Sequence, residues 1–97
     1  MYSYESWEKF RGEYLEYMRN KEDTLVKKWL YSINYTEPVG YHINIGRQEI
    51  EIYATKVGVL IGRAGVGVDK LKEILSEEFN GEWNVKFIEI RGSFVNV

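Results

Sequence analysis

A glycine-rich apolar stretch constrains the fold of this chain more than any other feature. Glycine occupies positions 58, 62, 65 and 67 of the run Val57–Val68, and most of the other positions are apolar. The β-branched residues of Val57–Ile61 favour a strand, whereas the length of this segment also permits a short buried helix. The composition of Gly62–Gly65 is typical of a loop. We therefore expect the chain to turn here before its next element begins.

The segment after this loop predicts a helix followed by a strand. From Val66 to Phe79 apolar residues recur at helical spacing, and charged residues fill the opposite face. Asn80-Gly81 predicts the end of this helix, since both residue types tolerate the left-handed conformation. Trp83–Ile90 then alternates between apolar and polar residues, which predicts a strand. The residues after Gly92 are expected to be a tail or an extra strand.

Two further alternating segments lie upstream of the glycines. Pro38 and Gly40 predict a turn. Tyr41–Ile45 and Glu49–Ala54 both alternate, and Gly46-Arg47-Gln48 separates them. Two alternating runs so close together predict an antiparallel hairpin. His42 lies on the first strand, and we interpret this lone histidine as structural.

The first thirty residues predict helix. Their apolar positions recur at spacings of three and four, and Ser3 is the expected N-cap, with Glu5 near the positive end of the helix dipole. The rhythm is lost at Asn20–Thr24, which indicates either a joint before a second helix or one long helix. The aromatic stripe either packs on the core of the domain or docks a protein partner; it comprises Trp7, Phe10, Tyr14 and Tyr17.

The element order predicts an α+β fold with helices on one face of a three-stranded sheet. The 97 residues suffice for one modest core. We expect an N-terminal amphipathic helix over residues 1–23 and the main domain over residues 24–97. An alternative is that the chain is a piece trimmed from a longer protein.

Composition excludes several classes of function. The chain has no cysteine and one histidine, which exclude disulfides, cysteine nucleophiles and histidine-rich metal sites. No signal peptide or membrane span is indicated, so we expect a cytoplasmic protein without a membrane partner. We predict no enzyme activity, because the adjacent carboxylates point in different directions on a helix. We expect no metal, and no nucleotide cofactor, because the glycines fit neither GxGxxG nor GxxxxGK[ST]. The net charge of −2 argues against a strongly basic nucleic-acid coat protein.

Positive charge is nevertheless concentrated around the glycine-rich stretch. The segment from Arg47 to Lys72 carries a net charge of +2, whereas the segments on either side are net acidic. Gly62 and Gly65 permit close approach of another backbone, and the free N–H groups at the start of the following helix favour an anion such as phosphate. The candidate phosphate contacts are Arg47, Lys56, Arg63, Lys70, Lys72 and Arg91.

The same stretch resembles a known family. The pattern I-G-x-x-G-x-x-V, followed by a helix, is the signature of the KH domain, and the element order resembles the type II KH fold. The resemblance is greatest to the N-terminal KH domain of the small-subunit ribosomal protein that carries one, and it covers residues 24–92. Residues that fit this pattern are Lys56, Gly58, Val59, Leu60, Ile61, Gly62, Arg63, Gly65, Val68, Lys70 and Leu71.

The resemblance implies a non-catalytic module that binds single-stranded RNA, such as ribosomal RNA or mRNA. In this fold the loop clamps the backbone of about four nucleotides, and an apolar groove accepts the bases. The implied binding residues are Lys56, Gly58, Val59, Ile61, Gly62, Arg63, Ala64, Gly65, Val68, Lys70 and Arg91. The alternative is a KH-like scaffold with weak or lost RNA binding that acts through a protein partner. The overall acidic balance and Ala64, where the family has a basic residue, motivate that alternative.

Overall fold

Residues 4–91 are described by the computed structural model of the protein, and within them helices and strands follow the predicted order. The α+β class, the three-stranded sheet and the N-terminal helix are confirmed, in an arrangement consistent with a KH-like fold. The elements are α1 (Tyr4–Ser32), β1 (Gly40–Asn44), β2 (Glu49–Ala54), α2 (Val57–Ile61), α3 (Val66–Phe79) and β3 (Asn84–Glu89), with a 3₁₀ turn over Arg63–Gly65. The predicted N-cap Ser3 and the tail after Gly92 lie outside the described residues.

The sheet has the strand order β1-β2-β3. β1 and β2 form the predicted antiparallel hairpin, with Ile43 opposite Ile50. β3 pairs with β2 in parallel, with Ile50 opposite Val85. A parallel pair requires a crossover connection, and α2, the 3₁₀ turn and α3 supply it. The carboxyl ends of β2 and β3 therefore lie at the same end of the sheet. The segment Gly62–Gly65, here called the glycine loop, belongs to the crossover.

One face of β2 forms the centre of the core. Ile50, Ile52 and Ala54 alternate along this strand and are all fully buried. Leu71 and Leu75 of α3 are also fully buried, at the helical spacing that the sequence predicts. The rest of the buried apolar cluster consists of Val26, Trp29, Tyr35, Leu60 and Trp83. The helices thus cover one face of the sheet.

A single helix runs across the expected joint at Asn20–Thr24, so the joint is wrong and the alternative of one long helix is right. The apolar rhythm is lost there because the polar side chains find partners within the fold. Thr24 Oγ1 donates to the Asn20 carbonyl at 2.8 Å instead of capping a new helix. Lys21 forms an ion pair with Glu78 at the end of α3, and Asp23 accepts a hydrogen bond from the Tyr41 hydroxyl.

The first half of α1 extends beyond the core. The core-facing side of this helix begins at Leu25, and every residue from Arg11 to Tyr17 is exposed. Tyr14 is 53% exposed and Tyr17 is 62% exposed. For these two tyrosines, the interpretation that the aromatic stripe packs on the domain's own core is therefore wrong. The side chains of Trp7 and Phe10 lie outside the described part. No helix among residues 4–91 is long and apolar enough to cross a membrane.

Candidate functional site

The glycine loop, Gly62–Gly65, contains backbone conformations that glycine adopts more easily than other residues do. Val57–Ile61 is a short helix rather than a strand. Gly62 follows it with φ of 75°, and Gly65 precedes α3 with φ of 76°. Both values lie in the region that residues with a Cβ rarely adopt. Ala64 also has a positive φ, of 55°, which is unusual for alanine.

A third glycine, Gly67, sets the distance between α2 and α3, a role that glycine spacing alone does not predict. A Cβ on Gly67 would lie 1.9 Å from the carbonyl oxygen of Leu60 and 3.0 Å from that of Ile61. Only a residue without a side chain therefore allows the first turn of α3 to approach α2 this closely. Gly58 is the opposite case, because nothing lies within 4 Å of a Cβ at that position.

The loop and the start of α3 face solvent. Arg63 and Ala64 are exposed. Among the described residues, no side chain caps this end of α3. The N–H of Val66 donates to the Arg63 carbonyl within the 3₁₀ turn, so an anion would have to be bound by the N–H groups that follow Val66 in the first turn of α3. Asp69 in the first turn carries the opposite charge. The arrangement can bind one anionic group at the loop, provided that the group approaches from the side of Arg63.

Apolar side chains border this loop. Of the predicted groove residues, Val59 is 59% exposed, Ile61 and Val68 are half-buried, and Leu60 lies fully within the core. Val59 belongs to α2, which packs against both α3 and the edge strand β3. Two apolar residues missed at the sequence level are also exposed, Val66 at 51% and Ile88 at 38%. Their exposure depends on tertiary packing, which periodicity does not report.

Lys56 is ion-paired. Its Nζ lies 2.8 Å from Oε1 of Glu37. The other oxygen of the Glu37 carboxylate accepts hydrogen bonds from the hydroxyls of Tyr35 at 3.3 Å and Thr55 at 3.4 Å. The hydrogen bond from Lys56 holds the pKa of Glu37 below its ordinary value, and the same bond raises the pKa of Lys56. A phosphate at Lys56 would therefore have to compete with this carboxylate.

Arg91 lies at the same end of the sheet as Lys56, beyond the carboxyl ends of β3 and β2. Ile90 N–H donates to the Ala54 carbonyl at 2.8 Å, which continues the parallel pairing one residue past β3. Arg91 therefore follows β3 where Lys56 follows β2. Arg47 is at the opposite end, because it precedes β2 and the strand spans about 20 Å. The length of β2 therefore separates Arg47 from Lys56 and Arg91.

Lys70 and Lys72 are exposed on different sides of α3. Lys70 borders a groove between α1 and α3, together with Lys28, Glu73 and Glu77. Lys72 borders a separate depression beside Glu82 and Trp83. These two lysines therefore do not extend one basic surface from the loop, and glutamates accompany both.

Two further titratable side chains, His42 and Tyr41, lie on β1. His42 is exposed on β1, and its Nδ1 lies 4.0 Å from Oε1 of Glu51. Tyr41 is partly buried and donates to Asp23, and both effects raise its pKa. Across residues 4–91, no group of three or more His, Asp or Glu side chains could hold a metal ion.

The chain is similar in sequence to a ribosomal protein. It is 29% identical to small ribosomal subunit protein uS3 of Fervidobacterium nodosum over 84 residues, which are 81% of this chain and 39% of that protein. It is 32% identical to uS3 of Maridesulfovibrio salexigens over 79 residues, 72% of this chain and 34% of that protein. A shorter match of 45 residues to uS3 of Caldanaerobacter subterraneus is 42% identical and covers 46% of this chain and 20% of that protein.

The similarity is confined to part of each ribosomal protein. The chain spans between about a third and two fifths of the length of the first two relatives that it matches. No family model matches the chain, and no solved structure is significantly similar to it.

Proposed function

We propose that this protein is a non-catalytic module that binds single-stranded RNA and that it has the architecture of a type II KH domain. We assign residues 24–97 to the KH-like domain and residues 1–23 to an N-terminal extension, whose described part belongs to α1, the helix that continues into the domain. The protein operates without a cofactor or metal, in the cytoplasm, and its ligand is ribosomal RNA or mRNA. Similarity to uS3, whose name states that it belongs to the small ribosomal subunit, supports this proposal.

The geometry of the Gly62–Gly65 loop carries the proposal. Two glycines with positive φ turn the chain directly into the uncapped end of α3. Nothing lies within 4 Å of a Cβ at Gly65, so there is room there for another backbone. Backbone N–H groups and a positive helix end are suited to phosphate, and the exposed Arg63 adds a full charge. The phosphates of the RNA bind at this loop.

The bases occupy the space between α2 and the edge strand β3. Unstacked bases are held in proteins by apolar contacts and by hydrogen bonds to their edges. The exposed side chain of Val59 supplies an apolar contact for a base, and the half-buried Ile61 and Val68 extend this apolar surface along the groove. The full set proposed to bind RNA is Lys56, Gly58, Val59, Ile61, Gly62, Arg63, Ala64, Gly65, Val68, Lys70 and Arg91.

A double substitution in the loop tests the proposal. Arg63→Asp with Ala64→Asp places two carboxylates where phosphate is proposed to bind. We expect affinity for a short unpaired RNA to fall at least tenfold, because like charges repel and a counterion-releasing cation is lost. The loop keeps its shape in this variant, since aspartate tolerates a positive φ better than alanine does. Fluorescence anisotropy with a labelled oligonucleotide measures the change.

The matched control is Gly46→Asp with Arg47→Asp. It makes the same change of net charge in the exposed hairpin turn, at the opposite end of β2. Long-range repulsion alone would weaken RNA binding in both double variants alike. A loop variant that stays folded and keeps the affinity of the wild-type protein contradicts the assignment of the loop.

A second candidate function is a KH-like scaffold that binds a protein partner through α1. The exposed Tyr14, Leu15 and Tyr17 on the part of α1 beyond the core favour it, as does the pairing of Lys56 with Glu37. Absence of RNA binding by the folded wild-type protein at low salt would favour this function over the first.

A further inference from the structure

A buried tryptophan connects α1 to the start of α3. Trp29 is fully buried, and its indole Nε1–H donates to the carbonyl oxygen of Gly67 at 2.8 Å. The two residues are 38 positions apart in the sequence. A hydrogen bond inside the core is stronger in effect than one at the surface, because neither group can exchange it for water.

Gly67 is also the point where α3 touches α2. The backbone carbonyls of Leu60 and Ile61 occupy the space where a side chain at position 67 would lie. Ile61 directly precedes the loop, and Gly67 follows it by two residues. The contact between Ile61 and Gly67 therefore fixes both ends of the loop. The Trp29 side chain, in the core, hydrogen-bonds to Gly67 at this contact.

The loop needs such a support. Gly62, Ala64 and Gly65 all have positive φ, and at Ala64 this conformation is strained, because it brings the Cβ close to the backbone. Strained backbone persists only where the surrounding structure enforces it. The ring of Trp29 also lies 6.4 Å from that of Phe87 on β3, centroid to centroid. Trp29 thus lies against both α3, through Gly67, and β3, through Phe87.

We propose that Trp29 is a positioning residue for the Gly62–Gly65 loop. Its indole N–H holds the Gly67 carbonyl, and this bond fixes the direction in which the loop and the first turn of α3 present their N–H groups. Trp29 itself touches no RNA. The effect on affinity rests on the proposed function, whereas the effect on loop conformation does not.

The chain contains a matched control for this role. Trp83 is also buried, and its indole Nε1–H donates to a backbone carbonyl, that of Asn80, at 3.3 Å. This bond lies at the opposite end of α3 from the loop, beside Phe79. Trp29→Phe and Trp83→Phe each remove one indole N–H from the core and keep an aromatic ring. Both are expected to lower the thermal stability.

The first readout is affinity for a short unpaired RNA oligonucleotide, measured where circular dichroism shows that both variants are folded. Trp29→Phe should weaken binding about tenfold, the ratio expected when one buried hydrogen bond no longer orients the site. Trp83→Phe should bind like the wild-type protein. Equal affinity of the two folded variants would overturn the proposed effect on binding.

The second readout is amide hydrogen exchange at Gly62 and Gly65, whose N–H groups donate to the carbonyls of Gly58 and Gly62. Exchange at both should accelerate in Trp29→Phe and not in Trp83→Phe. Unchanged exchange in Trp29→Phe, or equal acceleration in both variants, would overturn the positioning role. A wild-type protein that binds no RNA would contradict the proposed function, and the exchange data would still decide the role of Trp29.

Discussion

The three glycines around the loop serve different physical needs. Gly62 and Gly65 are required by their positive φ, whereas Gly67 is required by the contact between α2 and α3. The first need is local and could be predicted from the glycine spacing alone. The second depends on the distance between two helices, which only the folded chain defines. The sequence therefore places Gly67 in the glycine-rich stretch without predicting the contact that requires it.

Substitution of Gly67 by alanine should destabilise the fold by about 2 kcal/mol or more, because α2 and α3 must move apart. Gly58→Ala is the matched control, since it adds the same methyl group to open space in α2. That change should be neutral or stabilising by up to about 1 kcal/mol. Urea denaturation of both variants measures the difference. Equal free energies of unfolding would show that the close contact does not exist in solution.

The ion pair of Lys56 with Glu37 predicts a pH dependence of stability. The folded state lowers the pKa of Glu37 below 4.5 and raises the pKa of Lys56 above 10.5. A lowered acid pKa stabilises the fold above the unfolded value and loses its effect as the pH falls through the folded value. Stabilisation by the pair is therefore full at pH 7 and disappears in acid.

Comparison with Glu37→Gln tests this dependence. The variant should be slightly less stable than the wild-type protein at pH 7, and the difference in the free energy of unfolding should narrow below pH 4.5. We expect a small effect, because the side chains of Lys56 and Glu37 are 60% and 41% exposed, so water screens the pair. A difference that stays constant down to pH 3 would show that the Glu37 charge makes no contribution.

At the scale of elements, the periodicity of apolar residues predicts those helices and strands whose formation depends on neighbouring residues in the sequence. The hairpin and α3 were predicted from alternation and helical spacing. Periodicity does not decide whether α2 is a strand or a helix, because a segment of five residues, four of them apolar and one glycine, fits either period. The course of α1 depended on polar partners that are distant in sequence, Glu78 for Lys21 and Tyr41 for Asp23. Arg47 and Lys56 are about 20 Å apart because they flank the two ends of β2, a separation that the predicted strand Glu49–Ala54 already implies.

The two halves of α1 should differ in local stability. Residues Arg11–Tyr17 contact little beyond their own helix, whereas Val26 and Trp29 are buried. An isolated helical segment of this length is marginal in water, because packing supplies most helix stability in proteins. Amides of the first half should therefore exchange at least tenfold faster than those of Val26 and Trp29. Uniform slow exchange along α1 would indicate that a partner, such as a second copy, covers the first half in solution.

At the scale of the whole molecule, the cations proposed to contact RNA do not form one continuous basic surface. Arg63 and Arg91 are exposed, Lys56 is paired, and Lys70 and Lys72 lie among glutamates on different sides of α3. With about two phosphates neutralised, the slope of log affinity against log salt should be roughly −1.4 for a single strand. Anisotropy titrations at several salt concentrations give this slope. A slope several times steeper would mean that a larger basic surface forms on binding.

A titration of short unpaired RNA into isotope-labelled protein tests the central claim most directly, with amide shifts followed at low and then moderate salt. The account predicts shifts centred on Ile61–Val68 that weaken as salt is raised. The hairpin turn around Arg47 serves as an internal reference, because it lies at the opposite end of β2. A folded protein whose amides at Ile61–Val68 do not shift at low salt would contradict the account.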